Sequence, residues 1–160
     1  MKTKIYAAYG SNMNLKQMGM RCPAAVVIGT GEVKDYRLTF RGLTKGVANI
    51  ERSQEGSVPI VLWEITPECE VALDRYEGYP SLYTKKTIEV DLKDESRIEA
   101  MAYVMARRYQ DYPAEPSKTY LDTIIRGYKD NKLRLTKLNE AVAKNIEEIV
   151  EVVNGFEDDF

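Results

Sequence analysis

The stretch "AVVIGTGEVKDYRLTF", Ala25 to Phe40, decides how the chain folds. Its β-branched and aromatic residues belong in strands, yet Gly29 and Gly31 interrupt them. A glycine inside a strand marks a bulge, a tight bend or the close approach of another backbone. The stretch therefore reads as two strands, or as one sharply bent strand with a bulge. Working outward, further strand candidates cover Lys4 to Ala8, Val47 to Glu51, Val58 to Ile65, Leu82 to Leu92 and Ile98 to Ala106. "SQEG" (53–56) and "KDES" (93–96) separate neighbouring strands as polar turns. Bent, glycine-broken strands of this kind often close into a barrel.

Helices lie among and after the strands. Met13, Leu15, Met18 and Met20, with a polar Asn12 or Asn14 ahead of them, read as a short helix ended by Cys22-Pro23. "TPECEVALDRYEG" (66–78) has a Thr N-cap, Pro at the first helical position and acids in the first turn. Cys69, Ala72, Leu73 and Tyr76 fall on one of its faces. Ser117 to Tyr128 aligns Tyr120, Leu121, Ile124, Ile125 and Tyr128. Thr136 to Val153 aligns Leu138, Ala141, Val142, Ile146, Ile149 and Val150. The closing "NGFEDDF" reads as a frayed acidic tail. The expected architecture is α+β: a small mixed, mainly antiparallel β-barrel of about six strands with peripheral helices. No repeat or linker divides the chain, so residues 1–160 read as a single domain.

Composition narrows the function. Lys+Arg 23 against Asp+Glu 25 gives a net charge of −2, which offers no global attraction for nucleic acid or an anionic membrane. No apolar stretch approaches the ~18 residues that span a bilayer, and the first apolar run is too short for a signal-peptide core. The expected compartment is the cytoplasm, and Cys22 and Cys69 are accordingly read as two buried thiols rather than a disulfide. The chain has no histidine. That removes Ser-His-Asp triads, Cys-His pairs and HExxH zinc sites. Any acid–base chemistry falls to Glu, Asp, Lys, Tyr or Cys. No metal-ligand spacing is found, and no cofactor is called for.

Two short motifs carry chemistry. In "AYGSN" (8–12) a strand ends in Gly-Ser-Asn, whose consecutive backbone N–H groups suit a carboxylate, phosphate or oxyanion. Gly10 is free to take a positive φ, and a helix starting near Asn12 would add its dipole. The same residues also make an ordinary turn. In "DRYEGYP" (74–80), Glu77 closes a helix whose C-cap is Gly78, at the negative end of the dipole, where a cation would be stabilising. Rings at Tyr76 and Tyr79 would limit its hydration, and both effects raise a carboxylate's pKa. The competing reading is an exposed glutamate beside a cap glycine. "GTG" (29–31) lacks the rest of a dinucleotide fingerprint and reads as a bulge. The 11 tyrosines fit a polar-lined cavity.

Together these motifs resemble the gamma-glutamylcyclotransferase-like family. The similarity runs from "AYGSNMN" (8–14) through "RCPAAVVIGTGEVKDYRLTFR" (21–41), "PIVLWEIT" (59–66) and "ECEVALDRYEGYPSLYTKKTIEV" (68–90) to "YPAEPSKTYLDTIIRGYKDNKL" (112–133). The resemblance implies a small mixed β-barrel. It also implies an activity, cyclisation of a γ-glutamyl group to 5-oxoproline with release of an amino acid or amine, as in glutathione metabolism. By motif it assigns the catalytic role to Glu77 and the substrate-holding loop to Tyr9, Gly10, Ser11, Asn12 and Met13. Tyr83 and Tyr120 match tyrosines lining the family's cavity. The implied partner is a small γ-glutamyl peptide or γ-glutamylamine, without nucleic acid or membrane, on a monomer or homodimer. The alternative is a non-catalytic module binding a small carboxylated metabolite in the same pocket. A phosphate-binding protein is disfavoured because nothing resembling GxxxxGK follows the first strand.

Overall fold

The computed structural model describes residues 2–158. Five strands close into a barrel: β1 (Lys4–Ala8), β2 (Val26–Arg41), β3 (Val47–Ile65), β4 (Tyr83–Leu92) and β5 (Arg97–Met105), in the order β1-β3-β2-β4-β5. All pairings are antiparallel except the closing one, where Tyr6 of β1 lies beside Met101 of β5. Four helices flank the barrel: α1 (Leu15–Arg21), α2 (Pro67–Glu77), α3 (Lys118–Asp130) and α4 (Thr136–Asp158).

The count of about six strands is corrected to five at "SQEG". Arg52 pairs with Tyr36 and Ser57 with Lys34, so residues 53–56 bulge out opposite Asp35 while the chain rejoins the same ladder. The turn chemistry is real: Glu55 has φ 64° and its N–H donates to Asp35 Oδ1. It does not end the strand, because β2 continues unbroken on the other side. β2 is itself one bent strand. Its register shifts between Val27 and Gly29, and again between Lys34 and Tyr36, and these bulges curve the long β2–β3 ribbon into the barrel wall.

The caps of α2 follow the sequence, and of the two candidates for α1 it is Asn14 that caps. Asn14 accepts from Gln17 N–H at the start of α1, Thr66 accepts from Cys69 N–H at the start of α2, and Gly78 takes φ 65° just after α2. Leu73 of α2 is fully buried against the core, whereas Tyr76 is 45% exposed. In α4, Leu138, Ala141 and Asn145 face the barrel, and Ile146 and Val150 are exposed. The buried Arg41 reinforces this docking by donating to both Glu51 and Glu148. The expected frayed tail is corrected as far as Asp158, which still belongs to α4; Asp159 and Phe160 lie outside the described residues. Cys22 and Cys69 form a disulfide with Cα atoms 5.1 Å apart, correcting the expectation of two thiols. It joins the end of α1 to the first turns of α2. Among the described residues no helix is long and apolar enough to cross a membrane, and no His/Cys/Asp/Glu group is placed to hold a metal.

Candidate active site

After β1 the chain leaves the barrel at Tyr9, and Gly10 begins a single 3-10 turn, Ser11–Met13. Gly10 has φ −121° and does not use its freedom to take a positive φ. The position is tight instead, and a side chain there would need Ala48 to give by a few tenths of an ångström. A Cβ there would stand 3.1 Å from Ala48 Cβ and 3.5 Å from the Tyr120 hydroxyl. The expected helix dipole at Asn12 is corrected, since α1 begins only after Asn14 and the loop carries one 3-10 turn. Met13 and Asn14 N–H groups close that turn on Gly10 and Ser11 carbonyls. The N–H groups of Ser11 and Asn12, at its start, have no acceptor within it.

The loop is clamped from behind. Trp63 Nε1 donates to Asn12 O at 3.0 Å, Asn131 Nδ2 to Met13 O at 2.9 Å, and Asn14 Nδ2 to Thr123 O at 3.1 Å. Gly127 of α3 lies so close that an added Cβ would meet Met13 C and Asn14 N at 2.8 Å. Such fixed donors cost no reorganisation when a ligand's charge appears.

In front of the loop is a cavity of about 200 Å³ lined by Tyr6, Tyr9, Gly10, Ser11, Asn12, Val47, Ala48, Tyr76, Glu77, Leu82, Tyr83, Tyr103 and Tyr120. Six of the 11 tyrosines therefore line one small space. Of the residues singled out in the sequence, Tyr9, Gly10, Ser11, Asn12, Glu77, Tyr83 and Tyr120 meet here. Met13 does not line the cavity; its fully buried side chain anchors the loop beneath α3. Tyr79 also stays out, 40% exposed with its ring under the Lys85 ammonium.

Glu77 reaches the cavity from the last position of α2, and Asn12 Nδ2 donates to its Oε1 at 3.4 Å. Burial pushes its carboxyl up from 4.5 to about 7, and the Arg21 charge opposes that rise. At neutral pH it is thus poised to take a proton or give one. Burial, and next the Glu77 charge, raise the Tyr6 and Tyr9 phenols; burial dominates at Tyr83 and Tyr120 too. These four phenols stay neutral at working pH.

Their hydrogen bonds sort them by polarity. Tyr9 donates to Tyr103 O and Tyr83 donates to Ala48 O, so both have committed their protons. Tyr120 instead accepts from Ala48 N–H at 2.9 Å, and Tyr6 accepts from Asn12 Nδ2 at 3.0 Å. Their own O–H groups remain available to a ligand. Tyr83 and Tyr120 thus grip the two sides of residue 48, one as donor and one as acceptor. Tyr76, expected beside Glu77, does line the cavity, whereas Tyr6, Tyr103 and Ala48 were not singled out by the sequence. The "YAAY" spacing at 6–9 and the tyrosine-rich composition are the signals that point toward them.

Comparison with known proteins bears on the family and the fold. A family model described as "Gamma-glutamyl cyclotransferase, AIG2-like" matches residues 6–122. The chain is 29% identical to gamma-glutamylcyclotransferase of Bos taurus, over 93% of this chain and 87% of that one. It is 28% identical to the Homo sapiens protein of the same name, over 93% and 87%. A solved structure named "Gamma-glutamyl cyclotransferase" superposes with a TM-score of 0.78 at 27% identity, covering 88% of this chain and 86% of that one.

Proposed function

The chain belongs to the gamma-glutamyl cyclotransferase, AIG2-like family, and on that premise we propose that it cyclises the γ-glutamyl group of a γ-glutamyl peptide or γ-glutamylamine to 5-oxoproline. The observation that carries this reading is the contact from Asn12 Nδ2 to Glu77 Oε1, which joins the loop and the raised carboxyl in one cavity.

The substrate brings its own nucleophile, so a site without histidine suffices. Glu77, as carboxylate, takes a proton from the substrate's α-ammonium and frees the amine. The amine nitrogen attacks the γ-carbonyl carbon and closes a five-membered ring, and the C–N bond to the leaving group breaks. Glu77 returns that proton to the departing nitrogen, and its freed carboxylate takes the second proton, which the ring nitrogen carries after the attack, and passes it on to the released amine. Confinement in a small cavity makes the attack a well-oriented intramolecular step. The free N–H groups of Ser11 and Asn12 and the Tyr120 hydroxyl are donors for the substrate's two sites of negative charge, its α-carboxylate and the transient oxyanion. Because Glu77 must be ionised to start, kcat/KM should rise with pH through about 7.

The test is 5-oxoproline release from a panel of γ-glutamyl dipeptides and γ-glutamylamines. Stoichiometric 5-oxoproline and free amine from at least one compound supports the reading. Thermal stabilisation by these compounds with no product would overturn it in favour of a binding module.

A further inference from the structure

Arg21 stands one layer behind the cavity. It is the last residue of α1, and its neighbour Cys22 is bonded to Cys69 of α2, so the side chain emerges at the junction of the two helices. Its guanidinium carbon sits 3.6 Å above the ring of Tyr76, the residue before Glu77. One nitrogen donates to Gln17 Oε1 at 2.7 Å and another to Asn12 Oδ1 at 2.6 Å. Asn12 is 2% exposed and cannot exchange these partners for water.

A guanidinium donates and never accepts, so the Asn12 atom facing it must be the amide oxygen. That fixes the other end. The NH₂ group is turned toward Tyr6 Oη at 3.0 Å and Glu77 Oε1 at 3.4 Å. Were the amide reversed, its oxygen would face the Glu77 carboxylate and repel it when ionised. We propose that Arg21 is a positioning residue for the cyclisation, holding the Asn12 amide so that its N–H groups are aimed at Glu77 and Tyr6. The reaction named here rests on the cyclotransferase reading; the Arg21–Asn12–Glu77 chain rests on geometry alone.

The groups around Glu77 make its titration a clean reporter. Tyr6 on β1, Tyr9 just beyond it, Tyr83 on β4 and Tyr120 on α3 are held neutral, with Tyr76 adjacent on α2 and Asn12 in the loop. Arg21 is the cation whose charge registers at Glu77. Removing it takes away a nearby positive charge and releases the fixed donor, and both changes disfavour the carboxylate.

The experiment compares the wild type with Arg21→Met and Arg21→Lys by three readouts. These are NMR titration of the Glu77 carboxyl carbon, the pH profile of 5-oxoproline release from γ-glutamyl-alanine, and urea unfolding. In Arg21→Met the Glu77 midpoint should rise above about 7, with the ascending limb of kcat/KM following it. kcat should fall about tenfold or more, the scale of one charge-assisted hydrogen bond, while KM changes less. Arg21→Lys, which keeps the charge and one donor, should recover the midpoint and part of kcat. Should Arg21→Met fail to fold, Arg21→Gln, uncharged but still able to cover Tyr76, is read the same way. A midpoint and pH limb unchanged from wild type in the folded, uncharged variant would overturn the proposal, whatever the change in stability. If no γ-glutamyl compound is turned over by the wild type but the midpoint still moves, the positioning role stands and the reaction assigned to the site falls.

Discussion

Glu77→Gln should make the protein more stable, and chiefly above neutral pH. Glu77 titrates near 7 in the fold against 4.5 for an ordinary glutamate, because burial disfavours its charge. A raised carboxyl means that the folded state binds the proton more tightly than the unfolded chain. Its penalty is therefore absent below about 4.5, grows as the pH rises toward 7, and is constant above that. At about 1.4 kcal/mol per pH unit of separation, the full penalty is about 3 kcal/mol. That figure is an upper value, since the cavity communicates with solvent. Glutamine keeps the shape and carries no charge to bury. The difference in unfolding free energy between variant and wild type should thus be about 2–3 kcal/mol larger at pH 8.5 than at pH 4.5. All other titrating groups are common to both proteins and cancel in that comparison. Trp63, the single tryptophan and 4% exposed, supplies a fluorescence signal for urea unfolding. With urea slopes of about 1–3 kcal/mol/M, the midpoint separation between the proteins should change by about 1 M or more between the two pH values. A difference that is the same at both pH values would refute the claim that the cavity desolvates Glu77. The proton-transfer role would then lose its physical basis.

Other substitutions separate the parts of the site. Tyr120→Phe removes the one hydroxyl that accepts from Ala48 N–H while keeping its own proton free, whereas Tyr83→Phe removes a hydroxyl whose proton is already committed to Ala48 O. Both should cost about 1 kcal/mol of stability, but Tyr120→Phe should lower kcat about tenfold further; equal kcat losses in steady-state assays would contradict the donor assignment. Gly127→Ala forces a Cβ to within 2.8 Å of the Met13 and Asn14 backbone. It should destabilise by about 1–3 kcal/mol and raise KM by displacing the loop. Gly19→Ala, exposed in α1 with nothing within 4 Å of the added carbon, should instead be neutral or stabilising by up to about 1 kcal/mol in the same melts.

The elements specified by local chemistry were legible in the sequence. β1, the Thr66 cap, the Gly78 terminus and the bulge at Gly29 depend on residues a few positions apart, and local rules found each of them, while the α1 cap stayed open between Asn12 and Asn14. What local rules misjudged depends on partners far along the chain. "SQEG" contains genuine turn residues, but whether a turn ends a strand is decided by the opposite strand, here the unbroken β2. The tail continues α4 because a docked helix propagates more readily than a new one starts, and the Arg41–Glu148 pair that helps dock it spans 107 residues. The Cys22–Cys69 bond follows from α1 meeting α2, which no spacing announces. Glu77 and the "YGSN" loop could be singled out because each departs from local expectation in its own segment. Tyr6, Arg21 and Trp63 look like ordinary strand or helix residues, and their roles appear only once the loop is folded against them.

The central claim is that the loop holds the substrate while Glu77 moves its proton. The most direct measurement is 5-oxoproline release by Glu77→Gln protein, at a substrate concentration and pH where the wild type turns over, alongside calorimetric binding of the same γ-glutamyl compound. Glutamine offers the same contacts but cannot carry the proton. The account predicts binding within a fewfold of wild type and release lower by about 10²-fold or more, the scale of general acid–base catalysis. Release at the wild-type rate by folded Glu77→Gln protein would contradict it.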